Sequence, residues 1–210
     1  MDVLYRRTAP DAPAVCDGAV ESAVTRRDIV LNTACAACLA LWLGVVVMSG
    51  VVAAATFPTV KALDPVVPQF AGYPGGHWRL VGGAVANSVF RIAGVLTGLL
   101  AAGSGGLAMW MWTRRDGGRS WWLRTVPLAI GAACVAWNLT VLAPRMEGNL
   151  TRFRELAREG NVAGADAARD AFNRDHPTAS RLLVVQAAAV AAALAACVLA
   201  VPRFTDPRDG

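Results

Sequence analysis

The sequence predicts an all-α fold, a four-helix transmembrane bundle with a helical cap between the third and fourth spans. Three observations point there. The chain of 210 residues is 55% hydrophobic and only 17% charged, with a mean hydropathy of +0.43, more apolar than a water-soluble domain of this size tolerates. Its apolar residues fall into four blocks, each long enough to supply the roughly 20 helical residues that cross about 30 Å of hydrocarbon. The polar connection between the third and fourth blocks repeats its own apolar residues at helical spacing. Strands are excluded because a lone strand in lipid leaves its backbone N–H and C=O groups unpaired, and the alternating pattern of a barrel is missing.

Residues 1–28 mix arginines and acids with Pro10, Pro13 and Gly18, the composition of a polar tail, expected to be cytoplasmic and assigned no activity. The first block, about 29–57, contains the uncharged run LALWLGVVVMSGVVAAATF and is expected to stop at Phe57-Pro58. Ala53, Ala54 and Ala55 resemble a signal-peptide cleavage site, but the apolar stretch far exceeds the roughly 7–15 residues of a signal h-region, so it reads as an uncleaved anchor. A Pro- and Gly-rich connection follows, with His77 beside Trp78, and reads as an ordered surface loop.

The second block, about 82–112, carries Arg91 in its first third, and Ile92 to Trp112 alone suffices to cross. The third, about 121–142, opens on Trp121 and Trp122, whose rings prefer headgroup depth, and ends at Ala143-Pro144. In the connection 144–178, Met146, Leu150, Phe153, Leu156 and Ala157 share a helix face and Gly160-Asn161 is a stop signal. A second, separate short helix, about Ala165 to Arg174 with Phe172 inward, is expected to return the chain to the membrane, completing a cap over the outer mouth. His176-Pro177 then opens the Ala-rich fourth block, about 179–201, which stops at Pro202 before a short tail, 203–210.

Orientation follows from Lys and Arg. The loop between blocks two and three carries Arg114, Arg115 and Arg119, with Arg124 just beyond, against the single acid Asp116. It is expected to be cytoplasmic, in a cell (inner) membrane, with both termini on its side and the connection 144–178 outside. That connection carries six arginines of its own, which dilutes the bias. The net charge of +5 is spread along the chain without aromatic interleaving, so it reflects topology and not a nucleic-acid surface. Expected partners are the lipid bilayer and, through the small residues Gly94 and Gly98 or Ala187, Ala191 and Ala195, either neighbouring helices or a second copy in a homo-oligomer.

Polar side chains at membrane depth are costly and mark candidate sites. Arg91, Asn138 and His176 all fall in the outer half of this topology, where Arg145, Glu147, Asn87 and Ser180 join them. Each also has an ordinary structural role open to it: Arg91 snorkelling to headgroups, Asn138 bonding a neighbouring helix, His176 capping the fourth helix. Metal ligation has weaker support. The two histidines, His77 and His176, have no fixed ligand spacing, and Cys35, Cys38 and Cys197 offer three thiols at comparable depth that suit a soft ion such as Cu(I), or else pack as small hydrophobes. No P-loop, nucleophile elbow, zinc-protease or dinucleotide motif is present, so the expectation leans away from an enzyme.

The run Trp137-Asn138-Leu-Thr-Val-Leu-Ala-Pro144-Arg145, followed after a polar stretch by Phe172-Asn-Arg-Asp-His176-Pro-Thr-Ala-Ser180 heading an apolar helix, resembles the transmembrane protein 205-like family, catalogued as domain of unknown function 4149. The resemblance spans about residues 38–200, with Gly44 and Pro58 near the end of the first helix and Gly82, Phe90 and Arg91 at the start of the second. This chain departs from the pattern at Pro177 and Arg181. What the resemblance implies is a four-helix integral membrane protein without established chemistry. A vertebrate relative has been associated with resistance to platinum drugs. By position it marks Asn138, Pro144, Arg145, Phe172, His176 and Ser180 as site residues. Three functions are expected from the whole: a protein binding or moving a small solute or ion, or binding lipid headgroups, at its outer polar cluster; as the alternative, a membrane oxidoreductase or electron carrier holding haem or a metal between helices; and third, a purely structural or assembly subunit, which the small-residue packing faces serve equally well.

Overall fold

The computed structural model describes residues 26–113 and 119–199. The N-terminal tail up to residue 25 with Cys16, the loop residues Arg114, Arg115 and Asp116, and the C-terminal tail with Pro202 and Arg203 lie outside the described residues. The elements are α1 (Arg26–Leu63), a 3₁₀ turn (Pro68–Phe70), α2 (Trp78–Trp112), α3 (Arg119–Trp137), a π turn (Asn138–Leu142), α4 (Ala143–Arg158) and α5 (Val162–Leu199). No strand occurs among the described residues. The rods α1, α2, α3–α4 and α5 run up, down, up and down, each packing on its neighbours in the ring α1, α2, α3, α5. Four of these helical stretches are long and apolar enough to cross a membrane, and the protein is an integral, multi-pass membrane protein.

The rods are longer than a bilayer is thick. At 1.5 Å per residue the 38 residues of α1 and of α5 extend about 57 Å, against about 30 Å of hydrocarbon. The surplus stands at one end as a headpiece, so the molecule has two cores. The first lies within the bundle, where Trp42, Leu39 and Cys35 of α1 meet Leu128 and Val135 of α3 and Val190, Ala193 and Cys197 of α5. Gly131 permits this approach: a Cβ there would sit 3.3 Å from Val190 Cγ2 and 3.4 Å from Trp42 Cη2. The second core, in the headpiece, joins Phe70, Tyr73 and Leu80 to Leu150, Phe153 and Ala157 of α4 and Ala165 and Ala168 of α5.

The cap has the expected amphipathic first helix, with Leu150, Phe153 and Ala157 buried. It ends at Gly160 (φ 71°), where the Gly160 N–H bonds to Ala157 O and the Asn161 N–H to Leu156 O, the Schellman pattern that needs a left-handed residue at that position. Asn161 Oδ1 then accepts the Gly164 N–H at 3.0 Å and starts α5.

Two expectations are corrected. No separate short helix spans Ala165 to Arg174 and His176-Pro177 does not open a new one: α5 is continuous, with Pro177 in its interior. The first helix likewise does not stop at Phe57-Pro58 but continues to Leu63. Proline removes one backbone donor and disfavours a helix interior, but packing along the rod outweighs that cost. Phe57 lies against α2 at Gly82, whose Cβ would be 3.2 Å from the ring. Two residues before Pro177, Asp175 of α5 is tied to α4 by Arg145. The chain meets Pro144 differently: the preceding turn widens to π, with the Ala143 N–H reaching Asn138 O, an arrangement found often at functional sites.

Candidate functional site

Large apolar side chains remain exposed in a band around the bundle: Ile92 to Trp110 on α2, Leu123 to Val141 on α3 and the π turn, Val184 to Leu199 on α5. Nineteen residue steps from Arg91 to Trp110 correspond to about 28 Å, the depth of the hydrocarbon. The band is closed at the termini end by Arg27 over the Trp110 ring (5.6 Å) and by Trp112 stacked on Trp121 (6.3 Å), amphipathic groups suited to the lipid–water boundary. Within the bundle the hydroxyls of Ser49, Thr97 and Ser104 each bond a carbonyl of their own helix, so they need no further partner.

At the headpiece end of the band, Phe172, Asp175 and His176 lie at i, i+3 and i+4 and therefore share one face of α5. Arg145, just beyond Pro144 on α4, makes a two-point pair with Asp175: Nε donates to Oδ2 at 2.8 Å and Nη2 to Oδ1. The Asp175 side chain is 14% exposed and that of Arg145 57%, leaving the guanidinium donors not used in the pair facing solvent. The exposed His176 ring stacks on half-buried Phe172 at 5.9 Å. One turn on, Ser180 Oγ donates to His176 O at 3.1 Å. Four of the sequence-marked residues, Arg145, Phe172, His176 and Ser180, thus gather along α4 and α5. Pro144 is exposed at the start of α4, and half-buried Asn138 contributes its carbonyl to the π turn. Arg91 stands apart, at the end of a shallow apolar recess with Ile92, Val95 and Leu96.

Sequence reasoning missed Asp175, the acid that anchors Arg145. It also missed a junction in the headpiece: Tyr73 O–H donates to Asp166 Oδ1 at 3.0 Å, Arg169 donates to Tyr73 Oη at 3.3 Å, and Arg169 pairs with Asp166 at 2.8 Å. Burial, then the Asp166 carboxylate beside it, push the Tyr73 phenol above its ordinary value. At a sequence separation of 93, Tyr73 and Asp166 share no local pattern that announces the contact. A third polar cluster at the termini end was equally hidden: Arg124 donates to Asn32 Oδ1 at 3.0 Å and Asn32 Nδ2 to Cys197 O at 3.2 Å, tying α1, α3 and α5.

The ligand candidates have other employment. His77 Nδ1 accepts the Val67 N–H at 3.0 Å, while Nε2 faces Phe70 O (3.1 Å) and Tyr73 O (3.3 Å). That pattern requires the neutral Nε2–H tautomer and makes His77 the staple of the α1–α2 loop. Neither histidine projects into the bundle core, where a haem held between helices needs its axial ligand. Cys35 and Cys197 are both buried in the bundle core, with Cys38 half-buried one turn along α1. Among the described residues no three His, Cys, Asp or Glu side chains are grouped to hold a metal ion. Gly94 and Gly98 are occupied within the chain, each under a methyl group of Leu139 (3.1 and 3.3 Å from the positions a Cβ would take). No family model, curated protein or solved structure matches the chain.

Proposed function

We propose that this is a cell (inner) membrane protein with both termini cytoplasmic, whose outward headpiece binds a small anionic solute at the Arg145, Asp175, Phe172 and His176 cluster. The observation that supports this reading most is an exposed guanidinium held by Asp175, the residue next in sequence to an exposed imidazole stacked on Phe172. A preoriented guanidinium with unused donors beside an imidazole is suited to carboxylate or phosphate groups. The cluster lacks an activated nucleophile held by a general base, which favours binding over catalysis. The likeness to the transmembrane protein 205-like family is part of the same reading, because Pro144-Arg145 and Phe172 to Ser180 carry both.

The test is a thermal-shift screen of detergent-purified protein against inorganic phosphate and small mono- and dicarboxylates, repeated with Arg145→Ala and His176→Ala. The expected result is an anion that stabilises the wild type and loses its effect in both variants. Equal stabilisation of all three proteins would refute the assignment. Orientation is tested by reporter fusions after Asp116 and Gly160, expected in opposite compartments; reporters in the same compartment would overturn it.

A further inference from the structure

Arg91 is exposed and has neither an ion pair nor a hydrogen bond among the described residues. It sits where α2 leaves the hydrocarbon on the headpiece side, about 28 Å from Trp110. Below it lie two shallow recesses of about 320 and 250 Å³ that share Ile92 and Leu96 and so run together. The second is walled by Val45, Met48 and Ser49 of α1 and Ile92, Ala93 and Leu96 of α2. Ser49 turns its hydroxyl onto Val45 O at 2.7 Å, so the wall presents no free polar group to an occupant. The trough is therefore apolar along its length and cationic at one end. Its residues, Val45 to Val52 on α1 and Val89 to Leu96 on α2, span about 10 Å, some two-thirds of one leaflet's depth.

We infer that this trough holds an acyl chain of one anionic phospholipid, with the phosphate on Arg91. The charge pattern selects the headgroup. From Trp78 to Trp112, α2 contains no Asp or Glu, and α1 has none between Leu31 and Leu63. Neither wall can therefore pair the ammonium of a zwitterionic lipid, whereas Arg91 meets the phosphate of either kind. A net-negative headgroup gains the attraction without the accompanying repulsion. The site is separate from the Arg145 cluster and does not depend on it.

The experiment is native mass spectrometry of the full-length chain in detergent at low salt, titrated with phosphatidylglycerol or with phosphatidylcholine of identical acyl chains. The wild type should retain one phosphatidylglycerol in preference to phosphatidylcholine by about fivefold, the effect of one basic side chain near an anionic surface. Arg91→Gln should remove the preference and Arg91→Lys keep it. Leu96→Trp, which fills the trough from its lipid-facing rim, should lower retention of both lipids; Leu99→Trp, exposed outside the recesses, should not. All three positions face lipid, so folding is retained in the four variants, and thermal unfolding checks it. An unchanged preference in Arg91→Gln, or equal effects of the two Trp variants, would overturn the inference. So would a preference lost in Arg145→Ala and kept in Arg91→Gln, which places the headgroup on the headpiece cluster. A dimer peak abolished by Leu96→Trp would likewise overturn it by assigning the trough to a second copy.

Discussion

Replacing Tyr73 separates what its ring does from what its hydroxyl does. The ring is 4% exposed and meets Phe153 edge-on at 5.7 Å, while the hydroxyl joins Asp166 to Arg169. Tyr73→Phe keeps the ring contact and leaves Asp166 still paired with Arg169 at 2.8 Å. A hydrogen bond to a charged group contributes about 1.5–3 kcal/mol, but Asp166 is 42% exposed and water replaces part of the loss, so the cost should be about 1 kcal/mol. Tyr73→Ala also empties the space beside Phe153, and should cost about 3–5 kcal/mol. The pH dependence has a definite sign. The folded-state phenol titrates above the ordinary 10.0, so the native state holds its proton longer than the unfolded state does. This stabilisation is complete below about pH 10 and declines as pH rises through the higher folded value. Hydrogen exchange of headpiece amides, read against those of the bundle, is the assay. Tyr73→Phe should speed exchange in the loop and the first turns of α5 and flatten the alkaline decline. Equal costs for Phe and Ala, or acceleration confined to the bundle, would refute the reasoning.

His77→Phe should retain the edge contact with Phe70 (6.4 Å) but lose the three loop hydrogen bonds, and exchange at the Val67 amide should rise at least tenfold, equivalent to about 1.4 kcal/mol. Gly94→Ala should be near neutral, since its Cβ meets only the flexible end of Leu139 while the helix gains propensity. Gly94→Leu should destabilise by about 1–3 kcal/mol in detergent unfolding. Asn32→Ala should cost about 1–2 kcal/mol by stranding Arg124 and the Cys197 carbonyl. Asn32→Asp should recover the arginine contact alone, which a double-mutant cycle with Arg124→Gln resolves.

What was readable from the sequence is what depends on local pattern. The uncharged blocks require spanning helices, the spacing of Leu150, Phe153 and Ala157 sets the buried face of α4, and Gly160-Asn161 supplies its stop. Pro58 and Pro177 misled because the same residue marks a first helical turn or a tolerated interior position, and only the packing of neighbouring rods decides between them. The polar contacts failed for a related reason. Arg145 and His176 stood out as polar residues beside apolar blocks, whereas Asp175 and Asp166 sit in a stretch where charge is ordinary and Tyr73 in an uncharged loop, and their pairing exists only once α4 folds back on α5 and the loop docks beneath. Asn138 drew notice for its side chain, but its structural part is played by the backbone of a π turn.

The unbroken course of α5 has a mechanical corollary. A single helix of 38 residues reaches from the hairpin beside Gly72 to Leu199 at the opposite face. Inclining about 57 Å of helix by some 5° displaces one tip relative to the other by about 5 Å, as far as one helical turn rises. The same rod thus carries, at one end, the hairpin beside Gly72 and, at the other, Cys197 with the Asn32–Arg124 clasp, so any tilt of α5 changes both faces of the bundle together.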